Sequence, residues 1–213
     1  MNYELKNIIP KPLADTDISR SEIWGKDVLL ESSKKYIVKS KSGKGKSTFI
    51  SYCYGTRNDF TGQLTLNDNS SLTFNHEKWV NYRKENLSIV PQQLELIPFL
   101  TVWENLILKN ELTQQRTDKQ ILSFLETLDI SDFKDKKCGK LSLGQQQRTA
   151  IVRALLQPFD WIFLDEPFSH LDKENTEKAS VLIDQITKEQ NAGLVITSLG
   201  ENHSFNNLEL LRL

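Results

Sequence analysis

Ser40-Lys41-Ser42-Gly43-Lys44-Gly45-Lys46-Ser47-Thr48 is the stretch on which the fold of this 213-residue chain turns. It follows a short β-rich run, Tyr36 to Val38. It precedes Phe49 to Tyr54, an apolar segment with the look of a short helix stopped at Gly55. A glycine-rich loop between a strand and a helix is the setting of a phosphate-binding loop. Glycines let the backbone approach an anion, and the helix N-terminus adds a positive dipole end. In that reading all nine residues are nucleotide-binding candidates. Lys46 reaches the β- and γ-phosphates, and the Ser47 hydroxyl is a ligand for Mg²⁺. The first position of the motif is ordinarily glycine and here is Ser40, which fits if its backbone angles are ordinary. Lys39, Lys41, Lys44 and Lys46 crowd one loop. The extra cations offer attraction for a triphosphate where a solvated turn would not need them.

The surroundings set the fold class. Leu5 to Ile9 and Val28 to Leu30 read as strands. Residues 60–90 read as further strands, with Leu64, Leu66, Leu72 and Phe74 alternating and Leu87 to Val90 continuous. From Pro98 the spacing becomes helical: Leu100, Val102, Leu106 and Leu108, then Ile121, Leu122, Leu125 and Leu128. Ser142 starts another helix that runs through Gln145 to Leu156. Trp161 to Leu164 and Leu194 to Thr197 are bare apolar runs, as in strands buried on both faces. Glu174 to Gln190 is helical. The expected architecture is a single α/β unit over 1–213. Its core spans about 1–92 and 151–213, and its helical insert about 93–150.

The strand ending Leu164-Asp165-Glu166 brings two carboxylates to a strand C-terminus, where parallel sheets gather ligands. Asp165 is placed to hold Mg²⁺ and Glu166 to polarise an attacking water.

Bulk properties bound the rest. The chain has 27 basic and 28 acidic residues. That balance gives no electrostatic reason to expect a nucleic-acid partner. Cys53 and Cys138 have no metal or disulfide spacing and read as free thiols. No run approaches the roughly 18 apolar residues of a membrane-spanning helix, and the N-terminus lacks a signal-peptide pattern. The expectation is a cytoplasmic protein, held at the inner face of a membrane by something else if it works there.

Together these motifs resemble the ATP-binding cassette (ABC) transporter ATP-binding subunits of the P-loop NTPase superfamily. Leu141-Ser142-Leu143-Gly144-Gln145-Gln146-Gln147-Arg148 is similar to the family signature LSGGQQQR. Ser169-His170-Leu171-Asp172 resembles the D-loop, Val90-Pro91-Gln92 the Q-loop, and Leu100-Thr101-Val102-Trp103-Glu104-Asn105 the stretch after it. The resemblance implies a mostly parallel sheet core of the P-loop NTPase type, an N-terminal antiparallel β part and a helical subdomain. It implies ATP and Mg²⁺ bound between two cassettes packed head to tail. ATP on one phosphate loop would meet Leu141, Ser142, Leu143, Gly144 and Gln145 of the other cassette, beside Ser169, Leu171 and Asp172 of the D-loop. Gln92 would contact Mg²⁺ or the attacking water. A separate transmembrane permease, driven by ATP hydrolysis, is the implied partner.

Departures touch the nucleotide. The family histidine after the last core strand corresponds to Ser198, which can hydrogen-bond but carries no positive charge. His203 lies five residues further on. The aromatic that stacks on adenine has no clear counterpart: the region reads Asp15-Thr16-Asp17. Trp24 is the nearest aromatic and reads more readily as a core residue. With Ser40 and Leu143 these point to binding with slow hydrolysis. The alternatives are a nucleotide-dependent interaction module with little turnover, or a soluble cassette of DNA repair or translation. The latter is disfavoured by the lack of a coiled-coil insert or a second cassette.

Overall fold

In a computed structural model, described for all residues except 42, 199–204 and 206, two sheets share one α/β body. The first is antiparallel and has the order β2-β1-β4-β5, formed by β1 (Tyr3–Pro10), β2 (Asp27–Leu30), β4 (Phe60–Leu66) and β5 (Asn69–Ser70). The second is parallel and has the order β6-β7-β8-β3-β9, formed by β3 (Lys35–Lys39), β6 (Leu87–Val90), β7 (Trp161–Asp165), β8 (Gly193–Ser198) and β9 (Leu208–Arg212). β8 lies between the strand that feeds the glycine-rich loop and the strand that ends in Asp165.

β7 explains why the bare apolar run had to be a strand. Its side chains alternate between two cores: Ile162 and Leu164 enter one, and Trp161 and Phe163 the other. The second core lies between the two sheets, where Tyr3 meets Trp161 and Phe163 edge-on. Helix α1 (Lys46–Cys53) packs there through Phe49 and Ile50. The first core takes α3 (Val102–Asn110), α4 (Asp118–Thr127), α5 (Leu143–Ala154) and α6 (Lys173–Glu189). Three of these helices open on capping boxes, Thr101 with Glu104, Thr117 with Gln120, and Ser142 with Gln145. Each box satisfies two backbone amides that would otherwise lack partners.

Two sequence expectations are corrected. Residues 60–90 are not all strand: a 3-10 turn covers Ser71–Thr73, and α2 (His76–Glu85) follows, capped by the Asn75 side chain on the Lys78 amide. Leu72 is 53% exposed, so the apparent alternation through it was accidental. Phe74 is buried instead by the α2 aromatics, with ring centroids 5.2 Å from both Trp79 and Tyr82. Leu108 is likewise half-exposed on α3 rather than part of its buried stripe of Val102 and Leu106. β9 was not anticipated. It is an edge strand with no fully buried residue, and it pairs with β3 from Lys35↔Leu208 to Lys39↔Arg212.

Candidate nucleotide site

Parallel strands put their C-terminal ends on one edge, and the register decides what meets there. Asp165 of β7 pairs with Thr197 of β8, and Ser198 of β8 with Lys39 of β3. The loop from Ser40 therefore starts beside the strand ends that carry the acidic pair. Within the loop Gly43 and Gly45 have φ of 77° and 95°, a region that costs other residues strain. Ser40 is not among the positive-φ residues, so serine at this position carries no such penalty. Gly45 also lacks room for a side chain: a Cβ would stand 3.1 Å from Leu13 Cδ1 and 3.2 Å from the Trp24 ring.

Lys46 is the first residue of α1 and only 6% exposed. Its Nζ donates to the Ser40 carbonyl at 3.1 Å and pairs with Glu166 Oε1 at 3.3 Å. The ammonium is thus held across the loop and against the glutamate. Ser47 is exposed at the mouth of the loop, as are Lys41 and Lys44. Thr48 faces Arg57, whose Nη1 lies 3.4 Å from its hydroxyl. Ser42 falls outside the described residues.

The acidic pair is fixed by a residue that sequence reasoning missed in this role. The Thr197 hydroxyl donates to Asp165 Oδ1 at 2.6 Å and accepts from the Glu166 amide at 3.1 Å. One fully buried threonine thus fixes the Asp165 carboxylate and the Glu166 main chain. Glu166 takes φ 49°, in the left-handed region, directly after the strand. Gln92 is exposed in the turn after β6, on the same edge, and makes no hydrogen bond among the described residues. Ser198 is buried at the end of β8. His203 lies outside the described residues.

The residues like the family signature sit at the start of α5. The Ser142 hydroxyl accepts from the Gln145 amide at 3.3 Å, and Gln145 Oε1 accepts from the Ser142 amide at 3.0 Å. Leu141 is buried, while Leu143, where the signature has glycine, is 55% exposed. Gly144 has a structural reason beyond ligand approach: a Cβ there would lie 2.9 Å from the His170 carbonyl oxygen. Gln147, also missed as a site residue, ties this helix to the acids. Its Nε2 donates to the Glu166 carbonyl at 3.2 Å and to Ser169 Oγ at 3.3 Å, and its Oε1 accepts from the His170 amide at 3.0 Å. The available signal was a glutamine on the buried side of α5, which needs polar partners. Leu171 packs on the first core. Asp172 caps α6, and the Asn175 amide at 2.8 Å holds its carboxyl below the usual carboxylate range.

The residues present fit a nucleotide and a magnesium ion. The loop offers amides, a helix N-terminus and one committed lysine. Ser47 and Asp165 offer a hydroxyl and a carboxylate. Among the described residues no His, Cys, Asp and Glu cluster forms a self-sufficient metal cage. Magnesium at phosphoryl-transfer sites is instead held by one or two protein oxygens together with substrate phosphates. Trp24 is not a base platform: it is 2% exposed, and its indole N–H faces the Lys44 carbonyl at 3.3 Å.

Comparison with known proteins agrees with this arrangement. Residues 27–169 match the family model described as ABC transporter. The ABC transporter ATP-binding protein YtrE of Bacillus subtilis (strain 168) is 32% identical over 177 residues, covering 80% of this chain and 76% of that one. The thiamine import ATP-binding protein ThiQ of Histophilus somni (strain 129Pt) is 31% identical over 176 residues, covering 81% and 79%. The solved dimeric structure of MJ0796, a bacterial ABC transporter cassette, superposes with a TM-score of 0.78 at 25% identity, covering 99% of this chain and 94% of its own. Glycine-rich loop, acidic strand end and capped signature helix thus stand on a shared fold with a shared sequence pattern, and the chain belongs to the ABC transporter family as one of its ATP-binding cassettes.

Proposed function

We propose that residues 40–48 cradle the triphosphate of ATP, and that Glu166 directs water at the γ-phosphate in a site completed by a second cassette. The observation that carries this is Lys46, buried and shared between the Ser40 carbonyl and Glu166. A triphosphate entering the loop offers the ammonium a stronger partner than either. Lys46 then turns to the β- and γ-phosphates, and the Glu166 carboxylate is released to orient a water. Its main chain stays fixed by Thr197. Ser47 and Asp165 are the residues to hold Mg²⁺, which supplies charge neutralisation across the phosphates. Gln92, exposed on the same edge, is placed to sense the ion or the water.

In the second cassette, the Ser142 hydroxyl hydrogen remains available because its oxygen, not its proton, serves the cap. Gly144 and the α5 N-terminus bring positive dipole to the γ-phosphate. Gln147 links that helix to Glu166 and the D-loop within each chain, so loss of the γ-phosphate is felt by both.

The output is transport by a separate membrane permease. A groove of about 280 Å³ between the parallel sheet and α3, lined by Tyr54, Ile97, Leu108, Leu112, Lys109 and Arg153, suits a docked segment of that partner. Among the described residues no helix is long and apolar enough to cross a membrane, so the reading places this chain at the inner face through its partner. The nucleotide-switch reading keeps one specific support: Ser198 at the position of the family histidine, which argues for slow turnover. ATP turnover, measured alone and with the permease, decides. The transporter reading expects hydrolysis that rises with the partner and falls at least 100-fold in Glu166→Gln. Binding without turnover under both conditions would favour the switch.

A further inference from the structure

The stretch Lys134-Asp135-Lys136-Lys137-Cys138-Gly139-Lys140 concentrates four lysines and one acid in a chain whose charges otherwise balance. All four lysines are exposed, while Cys138 among them is buried. The segment lies against Pro98 to Trp103, and main-chain bonds join the two. The Gly139 amide donates to the Pro98 carbonyl at 2.9 Å and the Cys138 amide to Leu100 at 2.8 Å. The Val102 amide donates to the Lys136 carbonyl at 3.0 Å and the Trp103 amide to that of Lys134 at 2.8 Å. Gly139 permits this approach: a Cβ there would stand 3.0 Å from the Pro98 carbonyl oxygen.

Phe99 projects from the joined segments and is 70% exposed, more than any other large apolar residue described. The backbone that carries it is fixed from within. Asn105 Oδ1 accepts from the Ile97 amide at 2.9 Å, and its Nδ2 donates to the carbonyls of Ile97 at 3.1 Å and Thr101 at 2.9 Å. Nearby acids do not cancel the lysines. Asp135 pairs with Lys134 at 3.6 Å, and the Glu104 carboxylate is engaged by the Thr101 amide at 2.7 Å. Lys136, Lys137 and Lys140 form no ion pair among the described residues.

With these main-chain groups already paired, the surface offers its partner side chains: several cations around one aromatic ring. That is the chemistry of a boundary with anionic headgroups, where ammonium groups sit among phosphates and the ring enters the edge of the acyl region. The location agrees. Ile97, two residues before Phe99, lines the groove proposed for the permease, so the patch borders the face that reading turns toward the membrane.

We propose that Phe99 together with Lys136, Lys137 and Lys140 docks this chain on a bilayer containing acidic phospholipids, as a second hold on the membrane beside the permease. The charges attract and the ring inserts, and the pair of signals holds where either alone is marginal. The proposal does not depend on the nucleotide site.

The test is sedimentation of the full chain with vesicles of phosphatidylcholine alone and of phosphatidylcholine mixed with phosphatidylglycerol. Wild type should bind the mixed vesicles, leave the neutral ones, and come off as salt is raised. Lys136→Glu combined with Lys137→Glu should weaken binding at least about tenfold, from roughly fivefold per lysine lost. The charge-matched control, Lys26→Glu with Lys84→Glu on exposed lysines of the antiparallel-sheet side and α2, should bind as wild type does. Phe99→Trp should add emission that brominated acyl chains quench, beyond any quenching of the four native tryptophans. Equal binding to both kinds of vesicle, binding to neither, or equal losses in patch variant and control would overturn the proposal. So would a patch variant that binds vesicles normally yet loses stimulation of ATP turnover by the permease, which would make the patch a protein contact. MgATP binding, expected to be unchanged in every variant, keeps failure here distinct from failure of the nucleotide site. The wild-type comparison between vesicles decides if a variant does not fold.

Discussion

Lys46 and Glu166 hold each other at 3.3 Å in the proposed nucleotide site, which sets a measurable cost for a ligand bound there. A nucleotide bound as proposed must displace the glutamate before it gains the lysine. Glu166→Gln weakens that competitor without touching the loop. ADP affinity, which no hydrolysis can obscure, should therefore rise about three- to fivefold in this variant, the worth of a partly screened pair. Equal ADP affinity in the two proteins, measured by calorimetry, would show that the pair does not oppose binding. The residues of this site were unequally legible. Lys46, Asp165 and Glu166 sit in local patterns whose chemistry is contiguous in the chain. Thr197 and Gln147 act through register and helix facing: Thr197 meets Asp165 only because β7 and β8 pair in that register. No window of sequence contains that relation. Trp24 could be read as core or as platform from sequence, and burial beneath Gly45 settles it as core.

Among the elements, α5 carries the proposed trans contact and was the easiest to read. Ser142 and Gln145 give the box that starts it, and its buried residues follow at helical spacing. Ser142→Ala should cost about 1 kcal/mol of stability through loss of the cap. It should also abolish ATP-driven dimer formation, because in the proposed dimer the same hydroxyl donates to the partner's nucleotide. Denaturation curves and light scattering with and without MgATP separate these effects. A variant that dimerises like wild type despite the lost cap would remove Ser142 from the trans contact. Elements that escaped sequence reading have physical reasons. α2 is largely polar and owes its place to Trp79 and Tyr82 packing on Phe74, so its apolar periodicity is thin. β9 is an edge strand with one partner, β3, and little buried surface to announce it. β7 and β8, buried on both faces, could hardly be anything else.

At the scale of the whole molecule, the groove between the parallel sheet and the helical part is where the chain stores a penalty for want of a partner. Burial, and then the nearby Arg153 guanidinium, push the Lys109 ammonium down to about 8. In the unfolded chain the group titrates near 10.4. Below pH 8 both states are charged, and the folded state bears the desolvation cost. Between about 8 and 10.4 the folded state sheds its proton first, so stability rises with pH there. Lys109→Met should therefore stabilise the protein by roughly 1 kcal/mol at pH 7, after allowance for partial exposure. The gain should shrink as pH approaches 10. Melting curves across that range check the sign. A gain that stays constant with pH would assign it to packing instead. A carboxylate from a docked partner would relieve the same penalty, as the transporter reading expects of this groove.

In the proposed site, one loop and one lysine bind a nucleotide triphosphate. Calorimetric titration of MgATP into the wild-type chain and Lys46→Ala tests it most directly. Wild type should give a saturable heat, and the variant an affinity weakened about 10- to 100-fold, the worth of a charge-assisted bond to phosphate. Wild type should also gain thermal protection of about 2.7 kcal/mol at a hundredfold excess over the dissociation constant. No heat and no protection with saturating MgATP, or an identical isotherm in Lys46→Ala, would contradict it.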